Sequence, residues 1–502
     1  MLFRLIWSVA KIVVIHLPRR EGFYVRVFRN VRELCYDKES NKYQMAKYLS
    51  IDRSSLHKII QGQRNAPSKD LVKRMGKYLE LSPYETNELL ELYSISLVSP
   101  ERYYRRKNVH SFLESFHAQP SKIEMPSFQK SDFQIQNRDV VPFSGTRQSL
   151  EYLIYHLVTQ ENESGKGMIK FLGTPQLPGF SNMFPLIQGK TVLRHILPFS
   201  KYDNILEIRD DHNFQSLSQI ISLYAQFANR KVHYETAYYY GMDFSHSIFP
   251  PFPYMIVTSQ YALWLSGNYQ NGLLVQDQDT VKYLNQVFDK LYEQTTPLLV
   301  PIQDLHSQLA VNQKIMSCKS DTEILFQLVP CLVPFIQKID VRKYLLENMP
   351  QKEYFIQSFS TYIQNLIHRH EQIHPLHFCS LNGIRRFLEK GVFDEFSTDF
   401  YRPLDKADRK KVVQQFLKYA PMYELRLLRE DLGELSNGLK VYLSDSLGYI
   451  QFMSSDGHVI VLTLENPNFL SSFKDYFESM DADLYYPKEE ALILIQKLLN
   501  QY

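Results

Sequence analysis

The sequence predicts an α+β protein: a small all-helical N-terminal domain, a linker, and a larger mixed α/β body with a weak internal repeat. Three observations predict it. Between Lys42 and Gln61 the apolar residues fall at the spacing of two short helices joined by a tight turn. Beyond residue 145, short apolar runs alternate with amphipathic helical stretches, and a strand, turn, strand, helix pattern beginning at Tyr261 comes back at Leu447. With 502 residues, 44% hydrophobic and 22% charged, the chain has ample material for several cores. The expected divisions are an extension at 1–23, a helical domain at 24–97, a basic helix and linker at 98–144, an α/β unit at 145–320, a helical connector at 321–400 and a second α/β unit at 401–502.

The first stretch, MLFRLIWSVAKIVVIHLPRR, is apolar from Leu5 to Leu17. Lys11 interrupts it, it is too short to span a bilayer, and no small-residue cleavage site follows, so no membrane partner is expected. It reads either as an extra amphipathic helix or as an extension from a misplaced start codon. A first domain helix is expected over Tyr24–Tyr36, ending at the polar DKESN, where Ser40 or Asn41 caps the next.

In KYQMAKYLSIDRSSLHKIIQ, Met45, Leu49, Ile51, Leu56 and Ile59 occupy the positions where two crossing helices bury side chains, and Ala46 sits where the crossing admits only a small one. Ser50 takes the turn, and Asp52 caps a helix that begins at Arg53. The outward residues of that second helix, Arg53, Ser54, His57 and Lys58, all donate hydrogen bonds and none is acidic. A helix laid in the major groove turns its N-terminal half to the base edges, so these four are the candidate base-reading residues, with Gln61 deeper along the helix. Gly62 stops the helix. Arg64, Ser68 and Lys69 are the candidate phosphate contacts, at the start of a further helix over Lys69–Leu79.

On these residues, Tyr24 to about Leu97 resembles the phage-repressor (XRE) class of helix-turn-helix DNA-binding domains. The class usually has Gly where this chain has Ser50; a left-handed Ser costs about 1 kcal/mol. It also often has Glu where Ile60 stands. The resemblance implies a sequence-specific transcriptional regulator acting on double-stranded DNA.

Ser82, Pro83 and Glu85 signal one more helix, to Leu97, covering the domain's core. PERYYRRKNVHSFLESF then reads as a basic helix that either reaches along phosphates or keeps a connector solvated. His117 to Gly145 has Pro, Ser and Gln without a sustained period and reads as linker. In the body, Thr146 caps a helix presenting Leu150, Leu153, Ile154 and Leu157; apolar runs follow at Gly167–Leu172 and Val192–Phe199, then a helix at Ser216–Asn229. YMIVTS, YALWLS and GLLVQD read as strands, with Gly267 and Asn268 turning between the last two, and a helix follows over Thr280–Glu293.

The repeat aligns YALWLSGNYQNGLLVQDQDTVKYLNQVFDKL with LGYIQFMSSDGHVIVLTLENPNFLSSFKDYF, each unit closing on a helix with Phe288 or Phe473 inward. LRHILPF at Leu193 pairs more loosely with YELRLLRE at Tyr423. Two such units imply a pseudo-two-fold body with clefts suited to a small-molecule effector. Their element order resembles phospholipase-D-like effector domains. An active member needs His-x-Lys, and no His here is followed two places on by Lys.

His370, Glu371 and His374 spell H-E-x-x-H, whose two histidines on one helix could ligate zinc with Glu371 as general base. Pro375 ends the helix at once and no third ligand stands out. The expectation is therefore no enzyme, no metal and no cofactor, with a zinc-dependent hydrolase as the competing reading and a protein-interaction scaffold as another. No Gly-rich phosphate cradle is present. Four cysteines without C-x-x-C spacing fit a reducing cytoplasm. The formal charge of +3 is uneven. Residues 1–110 hold 21 Lys and Arg against 11 Asp and Glu, hence +10, and the remainder carries −7. A basic head on an acidic body fits a polyanion partner at the head and a homodimer held through the body.

Overall fold

A computed structural model describes residues 41–61, 63–115, 135–163, 167–187, 190–199, 209, 211–227, 233–240, 252–301, 305–347, 349, 351–396, 398, 400–430, 439–453 and 459–502. The expected helix over Tyr24–Tyr36, the extension at 1–23 and most of the expected linker lie outside these residues. The chain divides after Arg105 into two compact units.

The first unit holds α1 (Lys42–Leu49), α2 (Arg53–Ile60), α3 (Lys69–Tyr78) and α4 (Pro83–Val98). Each begins at a side-chain cap: Asn41 accepts from Tyr43 N, Asp52 from Ser55 N, Ser68 from Leu71 N, and Ser82 forms a reciprocal box with Glu85. The apolar stripes of the four meet in one core of Met45, Ala46, Leu49, Leu56, Ile59, Ile60, Leu71, Val72, Met75 and Leu89. Tyr93 is buried there too and donates its hydroxyl to Ala66 O at 3.1 Å, tying α4 to the loop after α2. Helix α5 (Pro100–Ser115) starts in this unit and from Arg106 belongs to the second.

The second unit follows as β1 (Val140–Ser144), α6 (Arg147–Glu163), β2 (Met168–Leu172), α7 (Phe180–Met183), β3 (Val192–Phe199), α8 (His212–Phe227), β4 (His233–Tyr240), β5 (Tyr254–Val257), β6 (Ala262–Leu265), β7 (Asn271–Val275), α9 (Gln278–Tyr292), β8 (Thr296–Pro297) and β9 (Leu299–Pro301). It continues with α10 (Leu305–Ser317), β10 (Ile324–Gln327), α11 (Lys352–Ile373), β11 (Leu376–Ser380), α12 (Leu381–Lys390), α13 (Lys406–Tyr419), β12 (Glu424–Leu428), β13 (Lys440–Leu443), β14 (Gly448–Met453), β15 (Val459–Leu464), α14 (Pro467–Glu478), β16 (Tyr485–Tyr486) and α15 (Lys488–Gln501).

Two eight-stranded mixed sheets result, in the orders β1-β7-β6-β5-β2-β3-β4-β8 and β16-β12-β11-β10-β13-β14-β15-β9. In each, three strands joined through helices run parallel (β2, β3, β4; β10, β11, β12) and an antiparallel meander extends the first of them (β5, β6, β7; β13, β14, β15). Strands covered on both faces read as unbroken apolar runs, as VIVLTL does in β15, every residue of which is buried.

The internal repeat is therefore the architecture of the body, and its register is specific. His195 of β3 pairs with Phe171 and Thr236, and His377 of β11 pairs with Leu325 and Leu425. Tyr234 and Tyr423 each stand two residues before those last partners, so the matched segments are LRHILPF with PLHFCS and HYETAYYY with YELRLLRE. This corrects the looser alignment of Leu193 with Tyr423, which placed a second parallel strand against a third. The clearer alignment holds, with one shift. Asp277 and Asn466 cap α9 and α14 from equivalent positions, so Phe288 corresponds to Phe477 and Phe473 to Leu284. All three phenylalanines are fully buried.

Residues 321–400, expected as a helical connector, contain α11 but also β10 and β11 at the centre of the second sheet. Their five- and four-residue runs are too short to stand out beside a 22-residue helix. The expected linker also ends in a strand, for Val140–Ser144 pairs antiparallel with β7. The basic helix is neither free along its length nor merely solvated: Val109, Phe112 and Leu113 are core, Phe112 meets Phe214 and Phe473 edge-on, and Arg106 binds Asp475 with two hydrogen bonds, at 2.6 and 3.0 Å.

Candidate nucleic-acid interface

The turn between α1 and α2 is set by Ser50. It adopts φ 58° and ψ 40°, the left-handed conformation the class usually gives to Gly. Two backbone hydrogen bonds close the end of α1 around it, from Ser50 N to Lys47 O at 3.2 Å and from Ile51 N to Ala46 O at 3.1 Å, the paired pattern of a Schellman motif. The cost of the left-handed Ser is thus met by two satisfied carbonyls. Asp52 then caps α2, its carboxylate accepting from Ser55 N at 2.7 Å, and hydrogen bonding by Ser55 holds that carboxyl below the usual range.

Helix α2 divides cleanly. Leu56, Ile59 and Ile60 face the core, whereas Arg53, Ser54, His57 and Lys58 are exposed on one arc. No hydrogen bond or ion pair engages the side chains of Arg53, His57 and Lys58 among the described residues, so their donors are available to a ligand. Gln61 is half-buried. Arg64, Ser68 and Lys69 are exposed at the start of α3. The Ser68 hydroxyl already accepts from Leu71 N at 3.2 Å, which leaves it one proton to donate. The N-terminus of α3 adds the partial positive charge of its first backbone N–H groups at Lys69, with Asp70 in the same turn.

Tyr43, 65% exposed just past the Asn41 cap, is a further exposed side chain of α1 outside the candidate contacts. Its signal in the sequence is an aromatic residue on the polar side of a helix whose apolar side is Met45, Ala46 and Leu49. Arg74, by contrast, is engaged, donating to Tyr48 O at 2.8 Å.

The H-E-x-x-H residues part company in the second unit. His370 is buried, its Nδ1 2.9 Å from the Tyr423 hydroxyl and its Nε2 3.9 Å from Glu323 Oε2. His374 is exposed in a left-handed C-cap (φ 53°) with Nδ1 3.0 Å from Met422 O, and Glu371 faces solvent. Among the described residues no group of three His, Cys, Asp or Glu side chains is placed to hold a metal ion. Burial pushes His370 and His377 down to about 3, as it does His195 in the first repeat, whose Nδ1 lies 2.7 Å from the Tyr234 hydroxyl. His370 and His195 are neutral core imidazoles hydrogen-bonded to tyrosines, whereas the Nε2 of His377 accepts from Cys331 N at 3.4 Å and its ring packs edge-on against Tyr423.

No known protein family and no curated protein matches the chain. Among solved structures it is similar to TrmBL2, an archaeal chromatin protein that shows a novel mode of DNA binding. The identity is 12% over 53% of this chain and 98% of that one, with a TM-score of 0.22. A likeness at that score carries no weight for fold or function. Among the described residues no helix is long and apolar enough to cross a membrane.

Proposed function

We propose that the protein is a sequence-specific DNA-binding transcriptional regulator of the phage-repressor helix-turn-helix type, cytoplasmic and homodimeric, whose α/β body senses an effector or joins the subunits. The observation that carries this reading is the outward arc of α2: Arg53, Ser54, His57 and Lys58, all donors, exposed, with no carboxylate among them. Bases in the major groove present acceptors at G N7 and O6 and at A N7, and phosphates present acceptors everywhere, so a helix face that can donate at every position and carries no carboxylate suits that partner. Arg64, Ser68 and Lys69 would hold the backbone and fix the register. The body enters as a binding rather than a catalytic module, since His370 is turned into the core while Glu371 and His374 face outward.

The test is fluorescence anisotropy of the full chain with labelled duplex DNA across a salt series, after selecting a preferred sequence from a random pool. Counterion release predicts that log affinity falls linearly with log salt, with a slope of roughly −0.9 per neutralised phosphate. Enrichment of one sequence is also expected. Binding that ignores salt, or none at low salt, would leave the scaffold reading standing instead.

A further inference from the structure

Where the chain leaves the first sheet at Pro297 and enters the second at Leu299, a half-open pocket of about 340 Å³ lies between α10 and the adjoining ends of β14 and β15. That volume is in the range of small-molecule sites. Its walls are apolar: Val311 and Ile315 from α10, Leu447 and the ring of Tyr449 from the sheet. Thr463, directly across from Tyr449 in the strand register, adds one hydroxyl. Lys314 and Glu465 are the ionic groups lining it, and they pair with each other, with side chains 59% and 34% exposed.

One cation and one anion over an aliphatic wall select a particular chemistry. A ligand with a single charge would pair with one of the two and return the other to water, with no net gain of ion pairs. A ligand bearing both an ammonium and a carboxylate exchanges the internal pair for two charge-assisted pairs and leaves neither unmatched. We propose that this pocket binds a free α-amino acid with an aliphatic side chain, its carboxylate on Lys314 Nζ, its ammonium on the Glu465 carboxylate, and its hydrocarbon against Val311, Ile315 and Leu447. The pocket lies at the joint between the two repeats and shares no residue with the donor arc of α2, so the site stands or falls independently of the DNA reading.

The experiment is calorimetric titration of the full chain with L-leucine, beside leucinol, which lacks the carboxylate, and 4-methylpentanoate, which lacks the ammonium. Saturable binding of leucine is expected, with both analogues about ten-fold weaker or more, as for loss of a charge-assisted hydrogen bond. Lys314→Met and Glu465→Gln should each weaken leucine by a similar factor while leaving the melting temperature unchanged, since both side chains reach the surface. No saturable heat with leucine, analogues binding as tightly as leucine, or variants binding as the native chain does would each overturn the proposal. The analogue comparison uses the unaltered protein, so it decides the matter even if a variant misfolds.

Discussion

Ser50 and the exposed arc of α2 hold the chemistry of the head, and each yields a measurement. With φ at 58°, Ser50→Gly removes the left-handed penalty and should stabilise the first unit by about 1 kcal/mol, read as a raised denaturant midpoint. A loss of stability would mean the Ser hydroxyl does more than the backbone geometry shows. On DNA, Arg53→Ala and His57→Ala should narrow the preference for the selected site over random duplex by about 1 to 3 kcal/mol if a bidentate base contact is lost. Arg64→Ala should weaken both alike; identical behaviour of Arg53→Ala and Arg64→Ala would contradict the groove orientation. In the body, His195, His370 and His377 have folded values near 3, below their unfolded value of 6.5. Below that value the unfolded chain takes up protons that the folded chain refuses, so stability falls with pH from there downward. Between pH 7 and 5 each buried histidine should cost about 2 kcal/mol. A body whose thermal midpoint is as high at pH 5 as at pH 7 would show that these imidazoles charge in the folded state.

At the scale of elements, caps and buried aromatics do most of the positioning. Ser68→Ala removes the acceptor for Leu71 N and should destabilise the first unit by about 1 kcal/mol. Since the same hydroxyl is a proposed phosphate donor, DNA affinity should fall even after correction for unfolded protein. In the repeats, α9 and α14 lie over equivalent strands, and Phe288 and Phe477 are fully buried at equivalent turns. Truncating either to Ala should cost about 3 to 5 kcal/mol, as cavity formation adds to lost transfer energy. Equal losses would support the alignment by caps. A Phe473→Ala loss matching Phe288→Ala, with Phe477→Ala mild, would restore the alignment read from sequence.

For the whole molecule the question is how one small head reaches useful specificity. A single helix-turn-helix buries little DNA surface, whereas two heads read half-sites roughly 34 Å apart. The proposed pairing surface is the acidic body, which makes operator affinity depend on residues remote from DNA. Sedimentation of the full chain, beside binding to one and two half-sites, tests this. A monomer at micromolar concentration that binds one half-site as tightly as two would remove the dimer from the proposal.

The sequence by itself determined the local features. It placed the caps at Asp52, Ser68 and Ser82, the turn at Ser50, the inward stripe of α2, the strands of the first meander and the repeat between Tyr261 and Leu447, because caps, turns and periodicity are properties of neighbouring residues. The placement of Arg53, Ser54, His57 and Lys58 on one exposed arc followed from the same periodicity. Only the tertiary structure decided what distant residues do together. It placed β10 and β11 within the expected connector, since a four- or five-residue buried strand has no period to betray it beside a long helix. It turned the second half of the basic helix α5 into core, where Phe112 meets Phe214 and Phe473 from two repeats. It also separated His370 from His374 and brought Lys314 to Glu465, 151 positions away along the chain. Such pairings rest on how sheets stack and helices dock over long sequence distances, and no local spacing encodes them.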